Sequence, residues 1–476
     1  MTTSGNRNDE NEAYDLAVIG AGSAGFSAAI TAAEEGARVV IIGHGTIGGT
    51  CLNVGCVPSK AMIRAMETIH HANTAGRFDG VEAGAKVTDW SAVIRQKQTL
   101  VDELRIAKYI DVLPNYNNVA YLEGAAQLQS DGSILVNDTH IEANKIVIAT
   151  GSRPHIPDID GLADVDWLDS TSALELQSLP SSLTVMGGGY IGVEMAQIFA
   201  RAGTKVTIVS RRGLLPEAEP EVSSALQEYF AAEGIEVLSG LSYQRVSSKN
   251  DQVSLLASKD NKSIEVTSDK LLLATGRTPN TESLALAVAG IKTDSHNGII
   301  VDAQMRTSRE GVYAAGDVTG RDQFVYMAAY GAKLAAQNAM NGNSLSYDSS
   351  IMPAVVFSDP QIASVGLTEA QAKSHGITTI TSVLPLDLVP RALAARDTRG
   401  LIKLVADKSN KKLLGAHIIA PEGSDSIQTA AMALKAGMTY EELGAMIFPY
   451  LTTVEGLKLA AQTFEKDVAK LSCCAG

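Results

Sequence analysis

Cysteine is scarce in this sequence, and its distribution excludes a fold stapled by disulfide bonds. The 476 residues include four cysteines, which form two close pairs, Cys51 with Cys56 and Cys473 with Cys474. A secreted domain that depends on disulfides would carry many more cysteines for its length. Paired thiols at opposite ends of a long chain are more typical of redox or soft-metal chemistry.

The chain also lacks a long apolar run and an excess of basic residues. Its opening stretch, MTTSGNRNDENEAYD, is polar, and no later apolar run is long enough to span a bilayer. With 39 Lys and Arg against 53 Asp and Glu, the formal net charge is -14, which opposes attraction to nucleic acid and to anionic lipid surfaces. We therefore predict a cytoplasmic protein with no nucleic-acid or membrane partner.

A glycine-rich motif of the form GxGxxG occurs twice, each time between an apolar strand and a helical stretch. The first copy is residues 20–25 in DLAVIGAGSAG, and the second is residues 187–192 in SLTVMGGGYIG. Such glycines allow a tight turn and close approach of the backbone to a pyrophosphate, whose charge the helix N-terminus favours. The repeat predicts an α/β protein with two Rossmann-like dinucleotide-binding domains.

Two further segments resemble each other and suggest where the domains divide. KIVIATGSRP at 145–154 and KLLLATGRTPN at 270–280 each end an apolar strand in Ala-Thr-Gly. A simpler interpretation is two buried strands with glycine turns, but their positions before and after the second motif favour an inserted domain. The predicted domains are residues 1–152 and 278–347 for the first dinucleotide-binding domain, 153–277 for the inserted one, and 348–476 for a C-terminal domain.

Neither motif is followed by the acid that normally holds the adenosine ribose about twenty residues later. After the first motif the strand ends at Gly43, which leaves the ribose contact of that cofactor open. After the second motif the strand ends in Ser210, Arg211 and Arg212, whose guanidinium groups suit a 2′-phosphate. Arginines at a strand end are often only a solvated loop, but the motif favours NADPH over NADH.

The first cysteine pair lies in GTIGGTCLNVGCVPSKAMIRA, where a glycine-rich turn leads into a predicted helix. A helix N-terminus and a nearby cation such as Lys60 lower the pKa of a thiol. A separation of five residues allows Cys51 and Cys56 to form a reversible disulfide when the first turn is irregular. Two buried structural cysteines are the alternative, but they leave the flanking glycines and the Pro-Ser-Lys run unexplained.

Residues 48–60, GGTCLNVGCVPSK, resemble the signature of the flavin-dependent pyridine nucleotide-disulfide oxidoreductases. The resemblance extends over nearly the whole chain and includes VYAAGDVTG at 312–320, which looks like a second flavin-contact strand. It implies an FAD-binding domain, an NADPH-binding domain and a C-terminal α+β dimerisation domain. It also implies a homodimer in which the C-terminal domain completes the partner's active site.

The same resemblance implies roles for single residues. Cys51 is expected to exchange with substrate and Cys56 to contact the flavin, with Lys60 and Glu194 as an ion pair beside flavin N5. Tyr190 matches the side chain that covers the nicotinamide pocket, although as a bare aromatic it equally fits packing. The implied FAD-binding residues are Gly20, Ala21, Gly22, Gly25, Gly49, Thr50, Lys60, Thr150, Gly151 and Asp317, and the implied NADPH-binding residues are Gly187, Gly189, Gly192, Arg211, Arg212 and Gly276.

A histidine is missing where the disulfide-reducing members of this family carry a His-Pro-x-x-x-Glu acid/base pair. No histidine follows His417, and the stretch FPYLTTVEGLK places Tyr450 in the histidine position, with Glu455 five residues later. A phenol, whose unperturbed pKa is about 10, is a poor proton shuttle at neutral pH. The site is therefore better suited to a substrate that needs ligands than to one that needs a leaving-group proton.

The tail, DVAKLSCCAG, supplies such ligands. Adjacent cysteines form a disulfide only with strain, so Cys473 and Cys474 fit two thiols on a flexible arm better, although a tail without function is the alternative. Soft thiolates select soft metals, and Hg(II) favours two thiolate ligands. We therefore predict NADPH- and FAD-dependent reduction of Hg(II) to Hg(0). The predicted metal ligands are Cys51, Cys56, Cys473 and Cys474, and the predicted catalytic residues are Cys51, Cys56, Lys60, Tyr190, Glu194, Tyr450 and Glu455.

Two other functions stay open at this point. An NAD(P)H-dependent disulfide reductase of glutathione or dihydrolipoamide type would explain the first cysteine pair equally well. A flavoprotein that sequesters metal on its thiols without turnover is a second alternative. Small thiols are expected to present the metal, and because no cysteine precedes Cys51 we expect a catalytic core without an N-terminal metal-binding domain.

Overall fold

The computed structural model describes residues 13–466, which contain both β-strands and α-helices. The strands are β1 (Tyr14–Ile19), β2 (Val39–Gly43), β3 (Val119–Glu123), β4 (Ala126–Leu128), β5 (Ile134–Val136), β6 (Thr139–Ile141), β7 (Ala143–Ile148), β8 (Ser152–Pro154), β9 (Trp167–Leu168), β10 (Ser182–Met186), β11 (Lys205–Ser210), β12 (Glu236–Ser239), β13 (Ser242–Lys249), β14 (Gln252–Lys259), β15 (Lys262–Ser268), β16 (Lys270–Leu273), β17 (Arg277–Pro279), β18 (Val312–Ala314), β19 (Ala354–Val356), β20 (Gln361–Gly366), β21 (Thr379–Pro385), β22 (Leu401–Asp407) and β23 (Leu413–Ala420).

The α-helices are α1 (Ser23–Glu34), α2 (Gly49–Asn53), α3 (Cys56–Asn73), α4 (Trp90–Arg105), α5 (Ser170–Glu175), α6 (Tyr190–Arg201), α7 (Pro220–Ala232), α8 (Val325–Asn341), α9 (Glu369–Ser374), α10 (Pro390–Ala395), α11 (Gly423–Lys435), α12 (Tyr440–Ala445) and α13 (Glu455–Gln462). Among the described residues, no helix has both the length and the apolar composition needed to cross a membrane.

The chain divides into two compact units, each assembled from three segments. The first unit contains the described residues up to Pro58, then Lys97–Pro154 and Arg277–Ser349. The second contains Ser59–Gln96, His155–Gly276 and the described residues from Ser350 onward. The chain therefore passes between the units several times, whereas the domain boundaries predicted from the motifs stay predictions.

The first unit is built on a parallel sheet with the strand order β18-β7-β1-β2-β3. The strands β1, β2 and β7 carry apolar runs that are almost fully buried, as expected when both faces of a parallel sheet are covered. Helices α1 and α8 cover one face, and the antiparallel strands β4, β5 and β6 cover the other. The residues that follow β1 and β2 thus meet at one edge of the sheet, where a dinucleotide fold binds its ligand.

The second unit contains another parallel sheet, ordered β12-β11-β10-β16-β9, and an antiparallel sheet ordered β19-β20-β23-β22-β21. Helices α6 and α7 pack on one face of the parallel sheet, and strands β13, β14 and β15 pack on the other. Helices α11, α12 and α13 pack with the antiparallel sheet to form a separate core. The predicted α/β class, with two parallel dinucleotide-type sheets and a C-terminal α+β part, is confirmed.

A buried group of charges ties α7 to the antiparallel sheet within the second unit. Lys403 on β22 is almost fully buried, and its Nζ donates to Glu219 Oε2 at 2.9 Å and to Glu221 Oε1 at 2.8 Å. His417 lies beside Lys403 in the β22–β23 register, and its Nε2 is 3.1 Å from the carbonyl oxygen of Leu367. Burial lowers the pKa of His417, so the folded protein holds this imidazole neutral.

This burial predicts a pH-dependent stability. The unfolded chain protonates His417 near its ordinary pKa of about 6.5, whereas the folded chain does so only at lower pH. The unfolded state therefore binds more protons below pH of about 6.5, and acidification lowers the free energy of unfolding. We expect the melting temperature of His417→Gln to fall less between pH 7.5 and 5.5 than that of the unmutated protein. The variant lacks the histidine that takes up about one proton on unfolding. His375→Gln, at an exposed histidine, is the matched control and should leave the fall unchanged, and equal pH profiles for both variants would contradict the prediction.

Candidate active site

The loop after β1 leaves a helix N-terminus open to an anion. Gly22 is the N-cap of α1, where no side chain caps the helix and no acidic residue occupies the first turn. The first backbone N–H groups of a helix have no partner inside it, and the helix dipole favours negative charge there. The predicted phosphate loop at residues 20–25 therefore fits the pyrophosphate of a dinucleotide.

The segment that carries the first cysteine pair packs directly on this loop. Gly49 has a φ of +66°, and a Cβ built on it would lie 2.6 Å from the Cα of Gly22. Only a glycine at position 49 allows the backbones to approach so closely. In addition, the Gly48 N–H donates to the carbonyl oxygen of Ala21 at 2.9 Å. The contact places Thr50 and Cys51, which follow Gly49 in α2, beside the phosphate loop.

Cys51 and Cys56 lie on either side of a break between two helices. Cys51 is in the short helix α2, and Cys56 is the first residue of α3. A Cβ on Gly55 would lie 2.8 Å from the carbonyl oxygen of Thr50 and 3.2 Å from the Cα of Cys51, so residue 55 packs against the start of the pair. Both thiol side chains are half-buried. The irregular turn expected between the two cysteines is thus present.

Tyr109 is a neighbour of Cys51 that the sequence analysis did not identify. It lies in a π-helical segment, Ile106–Ile110, that continues from α4. Its hydroxyl is 3.0 Å from Ser23 Oγ at the start of α1, and its ring packs edge-on against Phe26. Burial and the nearby charge of Cys51 raise the pKa of Tyr109. No local sequence signal marks this tyrosine, because a π-helical turn decides its direction.

Asp317 is held in a hydrogen-bonded group at the end of β18. Ser152 Oγ donates to Asp317 Oδ2 at 2.7 Å, and Arg277 Nε donates to Ser152 Oγ at 2.7 Å. Arg277 Nε is also 3.7 Å from Asp317 Oδ2, which makes a loose ion pair. The same edge of the unit contains Thr150, whose hydroxyl donates to the carbonyl oxygen of Asn280, and Gly151, whose carbonyl accepts from Asn280 N–H. Ser152 and Arg277, which the sequence analysis did not identify as site residues, each directly follow one of the two Ala-Thr-Gly motifs. Their position next to these motifs is the sequence feature that could have identified them.

The second unit contains the other open helix N-terminus. Gly189 is the N-cap of α6, again without a side-chain cap or an acid in the first turn.

At the end of the neighbouring strand, β11, Ser210 Oγ accepts hydrogen bonds from the N–H groups of Arg212 and Gly213 and so shapes the loop that carries the arginines. Arg211 lies over the ring of Tyr243, 5.2 Å from its centroid. Arg212 forms an exposed ion pair with Glu217 at 2.7 Å. Gly187 and Gly192 belong to the same phosphate loop, and Gly276 follows β16 with a φ of +112°.

The predicted Lys60–Glu194 pair is formed in the second unit. Lys60 Nζ donates to Glu194 Oε2 at 2.6 Å, and the carboxylate is buried. Phe357, which the sequence analysis missed, contacts both partners. Its backbone N–H donates to Glu194 Oε1 at 3.0 Å, and its ring lies 4.8 Å from Lys60 Nζ, within cation–π distance.

Tyr190, the predicted cover of the nicotinamide pocket, is the first residue of α6. Its side chain is 40% exposed, and its partial burial raises its pKa.

Tyr450 and Glu455 differ in their surroundings. Tyr450 is 53% exposed, next to the exposed apolar side chains of Met446, Ile447 and Leu451. Glu455 is buried at the start of α13, and its Oε2 accepts the Leu451 N–H at 3.1 Å. Leu451 has a φ of +63°, so the carboxylate holds a strained turn next to Tyr450. Glu455 therefore supports the loop that presents the phenol.

The remaining predicted ligands, Cys473 and Cys474, lie outside the described residues 13–466. Within those residues, no group of three or more His, Cys, Asp or Glu side chains is arranged to hold a metal ion. The two thiols at Cys51 and Cys56 are thus the predicted soft-metal ligands that the structure places.

Comparisons with known proteins match both units. Residues 14–339 match the family profile described as pyridine nucleotide-disulphide oxidoreductase, and residues 352–461 match the dimerisation domain of that family. A mercuric reductase of Lysinibacillus sphaericus is 45% identical over 470 residues, which cover 98% of this chain and 85% of the relative. A mercuric reductase of Streptomyces lividans is 46% identical over 469 residues, which cover 97% of this chain and 98% of the relative.

A solved structure supports the same assignment. The Cu(II) complex of the HOCl-induced flavoprotein disulfide reductase RclA from Escherichia coli superposes with a TM-score of 0.85 at 30% identity. The match covers 95% of this chain and 99% of that one. The resemblance inferred from the motifs is confirmed. The chain belongs to the pyridine nucleotide-disulphide oxidoreductase family and carries the family's dimerisation domain.

Proposed function

We propose that this chain is an enzyme that reduces Hg(II) to Hg(0) with electrons from NADPH, through FAD and the Cys51–Cys56 pair. The observation that carries the proposal is the packing of the cysteine segment on the first nucleotide loop, by way of Gly22 and Gly49. Relatives that are 43–46% identical over almost the whole chain are named mercuric reductase, which favours the same substrate. The overall reaction is NADPH + Hg(II) → NADP⁺ + H⁺ + Hg(0), which balances in electrons and charge.

The cofactors are FAD and NADPH, which supply hydride and electron transfer when bound. We assign FAD to the first unit and NADPH to the second. The proposed FAD-binding residues of the first unit are Gly20, Ala21, Gly22, Gly25, Gly49, Thr50, Thr150, Gly151 and Asp317, and the proposed NADPH-binding residues are Gly187, Gly189, Gly192, Arg211, Arg212 and Gly276. Lys60 is a further proposed FAD-binding residue, and Glu194 fixes its ammonium group.

The cysteine pair is proposed to be a disulfide in the oxidised enzyme, to be opened once before the first turnover, and then to stay reduced, so that each later Hg(II) consumes one NADPH. Opening a Cys51–Cys56 disulfide takes two electrons and two protons. The two thiols then bind Hg(II) as thiolates and release two protons, because only the thiolate is a metal ligand. Two more electrons reduce the metal, which leaves as Hg(0). Cys51 is the proposed entry point for substrate, and Cys56 is the proposed contact of the flavin.

Tyr109 suits a site that handles charged thiolates. Its raised pKa keeps the phenol protonated at neutral pH, so that it is a neutral donor beside Cys51. The hydrogen bond to Ser23 and the contact with Phe26 fix its ring. We propose that Tyr109 stabilises the Cys51 thiolate during metal exchange without supplying a proton.

The exposed apolar side chains near Tyr450 support assembly into a homodimer. Met446, Ile447, Tyr450 and Leu451 lie within the matched dimerisation domain, and an exposed patch of this kind is typical of an interaction surface. We propose that the partner subunit's dimerisation domain completes each active site and that small thiols deliver Hg(II). The cytoplasm, which keeps thiols reduced, is the proposed location.

A second candidate function is the reduction of organic disulfides. It is favoured by the structural neighbour whose title names a flavoprotein disulfide reductase. Such a reaction needs a proton for the departing thiolate, which Tyr450 supplies poorly. Sequestration of metal without turnover is the remaining alternative, and both are separated from Hg(II) reduction by the following assay.

The proposal predicts NADPH oxidation that depends on Hg(II). The purified holoenzyme should oxidise NADPH when Hg(II) is added in excess small thiol, and glutathione disulfide and lipoamide should give at most a few per cent of that rate. Cys51→Ser and Cys56→Ser should each lower the Hg(II)-dependent rate at least a hundredfold, because each removes one thiolate of the pair. Turnover of the organic disulfides with inhibition by Hg(II) would instead identify a disulfide reductase.

The arginine pair predicts the choice of nucleotide. Arg211→Ala/Arg212→Ala should raise the KM for NADPH about 10- to 100-fold, the loss expected for charged hydrogen bonds to a phosphate, and change the KM for NADH little. Arg245→Ala, which removes another exposed arginine of the second unit, is the matched control. Steady-state kinetics with both nucleotides measure the effect, and an equal change for NADPH and NADH would contradict the assignment.

The tail thiols predict a defect in metal delivery. Cys473→Ser/Cys474→Ser should lower the Hg(II)-dependent rate about tenfold or more at low Hg(II), because two-coordinate thiolate ligation is lost on the tail. FAD content and the KM for NADPH should stay unchanged, since the tail is assigned no part in binding either cofactor. A variant with unaltered Hg(II) kinetics would show that the tail takes no part in delivery.

A further inference from the structure

A tyrosine of the neighbouring strand fills the space at the end of β2. Gly43 is the last residue of β2 and stands where a dinucleotide fold usually carries its ribose-binding acid. In the parallel register of β2 and β3, Ile41 lies beside Tyr121 and Gly43 lies beside Glu123. A Cβ built on Gly43 would lie 2.9 Å from Cζ of Tyr121 and closer still to its hydroxyl oxygen. The phenol thus occupies the volume that a side chain at position 43 would take.

Space, and not backbone conformation, requires glycine at this position. Gly43 is absent from the glycines with positive φ, so its backbone is open to any residue. A side chain there would collide with Tyr121 and with the Cβ of Ala21, which would be 2.8 Å away. Contacts under 3 Å are not tolerated in a packed interior. The missing acid and the presence of Tyr121 are therefore two parts of one arrangement.

The Tyr121 hydroxyl is also suited to bind a ligand. Ala21 belongs to the first phosphate loop, so the phenol oxygen lies at the edge of the proposed FAD site. Across residues 13–466, this hydroxyl has no hydrogen-bond partner, although its side chain is half-buried. Half-buried phenol groups usually find a partner. Burial, and then the charge of Glu123, raise the pKa of Tyr121, which keeps the group neutral.

We propose that the Tyr121 hydroxyl binds the adenosine ribose of FAD in place of the carboxylate that β2 lacks. A carboxylate only accepts hydrogen bonds from the ribose hydroxyls, whereas a phenol accepts and also donates one. Glu123, an exposed acid two residues further along β3, is the rival ligand. The inference rests on the assignment of FAD and not on the chemistry of Hg(II), so its test measures cofactor binding alone.

The first test is titration of the full-length apoprotein with FAD, followed by flavin fluorescence. Tyr121→Phe keeps the ring and should raise the dissociation constant of FAD about tenfold, the loss expected for one hydrogen bond. Tyr116→Phe is the matched control, because this tyrosine precedes β3 and its hydroxyl lies 3.4 Å from Glu34 at the surface. Unchanged FAD binding by Tyr121→Phe, or a larger loss in Glu123→Gln, would overturn the proposal.

A cofactor analogue tests the same hydrogen bond without changing the protein. FAD whose adenosine carries 2′,3′-dideoxyribose should bind the unmutated apoprotein about tenfold more weakly than FAD does, and it should not distinguish that protein from Tyr121→Phe. Equal binding of FAD and the analogue by the unmutated protein would overturn the proposal. A protein that fails to reduce Hg(II) but gives the predicted FAD affinities would reject the proposed function and keep this inference.

A paired substitution tests whether acid and phenol exclude each other. Gly43→Glu alone should weaken FAD binding, because its side chain collides with Tyr121. Gly43→Glu/Tyr121→Val should recover part of the loss, since the collision with the phenol is then removed and only the close contact with the Cβ of Ala21 remains. The two changes should therefore be strongly non-additive. Gly43→Glu that binds FAD as tightly as the unmutated protein would show that the phenol does not hold this space.

Discussion

The close contact between Gly22 and Gly49 is the constraint on which the site depends. It joins the loop that follows β1 to the segment that contains Cys51, at a distance that leaves no room for a side chain on Gly49. The N-terminus of α1 is suited to bind a pyrophosphate, so in the proposed arrangement the same contact brings the thiol close to the cofactor. The hydroxyl of Tyr109 contacts Ser23 at the start of α1 and so adds a second contact to this loop. The proposed redox chemistry between flavin and thiol therefore depends on the packing of two backbones.

The second unit has its own anchor for chemistry, the helix α6. Glu194 holds Lys60 and accepts the Phe357 N–H, and three residues later Gln197 exchanges two hydrogen bonds with the backbone of Asp359. Residues three apart on a helix share one face, so one face of α6 binds the segment that connects β19 to β20 in the antiparallel sheet. The position of the Lys60 ammonium group is thereby coupled to the packing of the C-terminal part of the unit.

The sequence predicted the local features of the site but not the long-range ones. Glycine loops, buried parallel strands and the Cys-x4-Cys pair are read from spacing within a few residues, and the α/β fold followed from them. Tyr109 meets Ser23 across 86 residues, and Ser152 meets Asp317 across 165, so tertiary packing alone brings them together. Gly43 illustrates the difference, because the sequence showed that an acid was missing and only the structure showed the phenol that occupies its space.

The central claim, that Hg(II) is the substrate of this flavin and thiol site, is tested most directly by its product. Mercury vapour swept from a sealed reaction and collected quantitatively can be compared with the NADPH oxidised in the same vessel. The proposed reaction predicts one Hg(0) released for each NADPH consumed, because both are two-electron steps. NADPH consumption without mercury vapour, or mercury bound to the protein with no NADPH consumed, would contradict it.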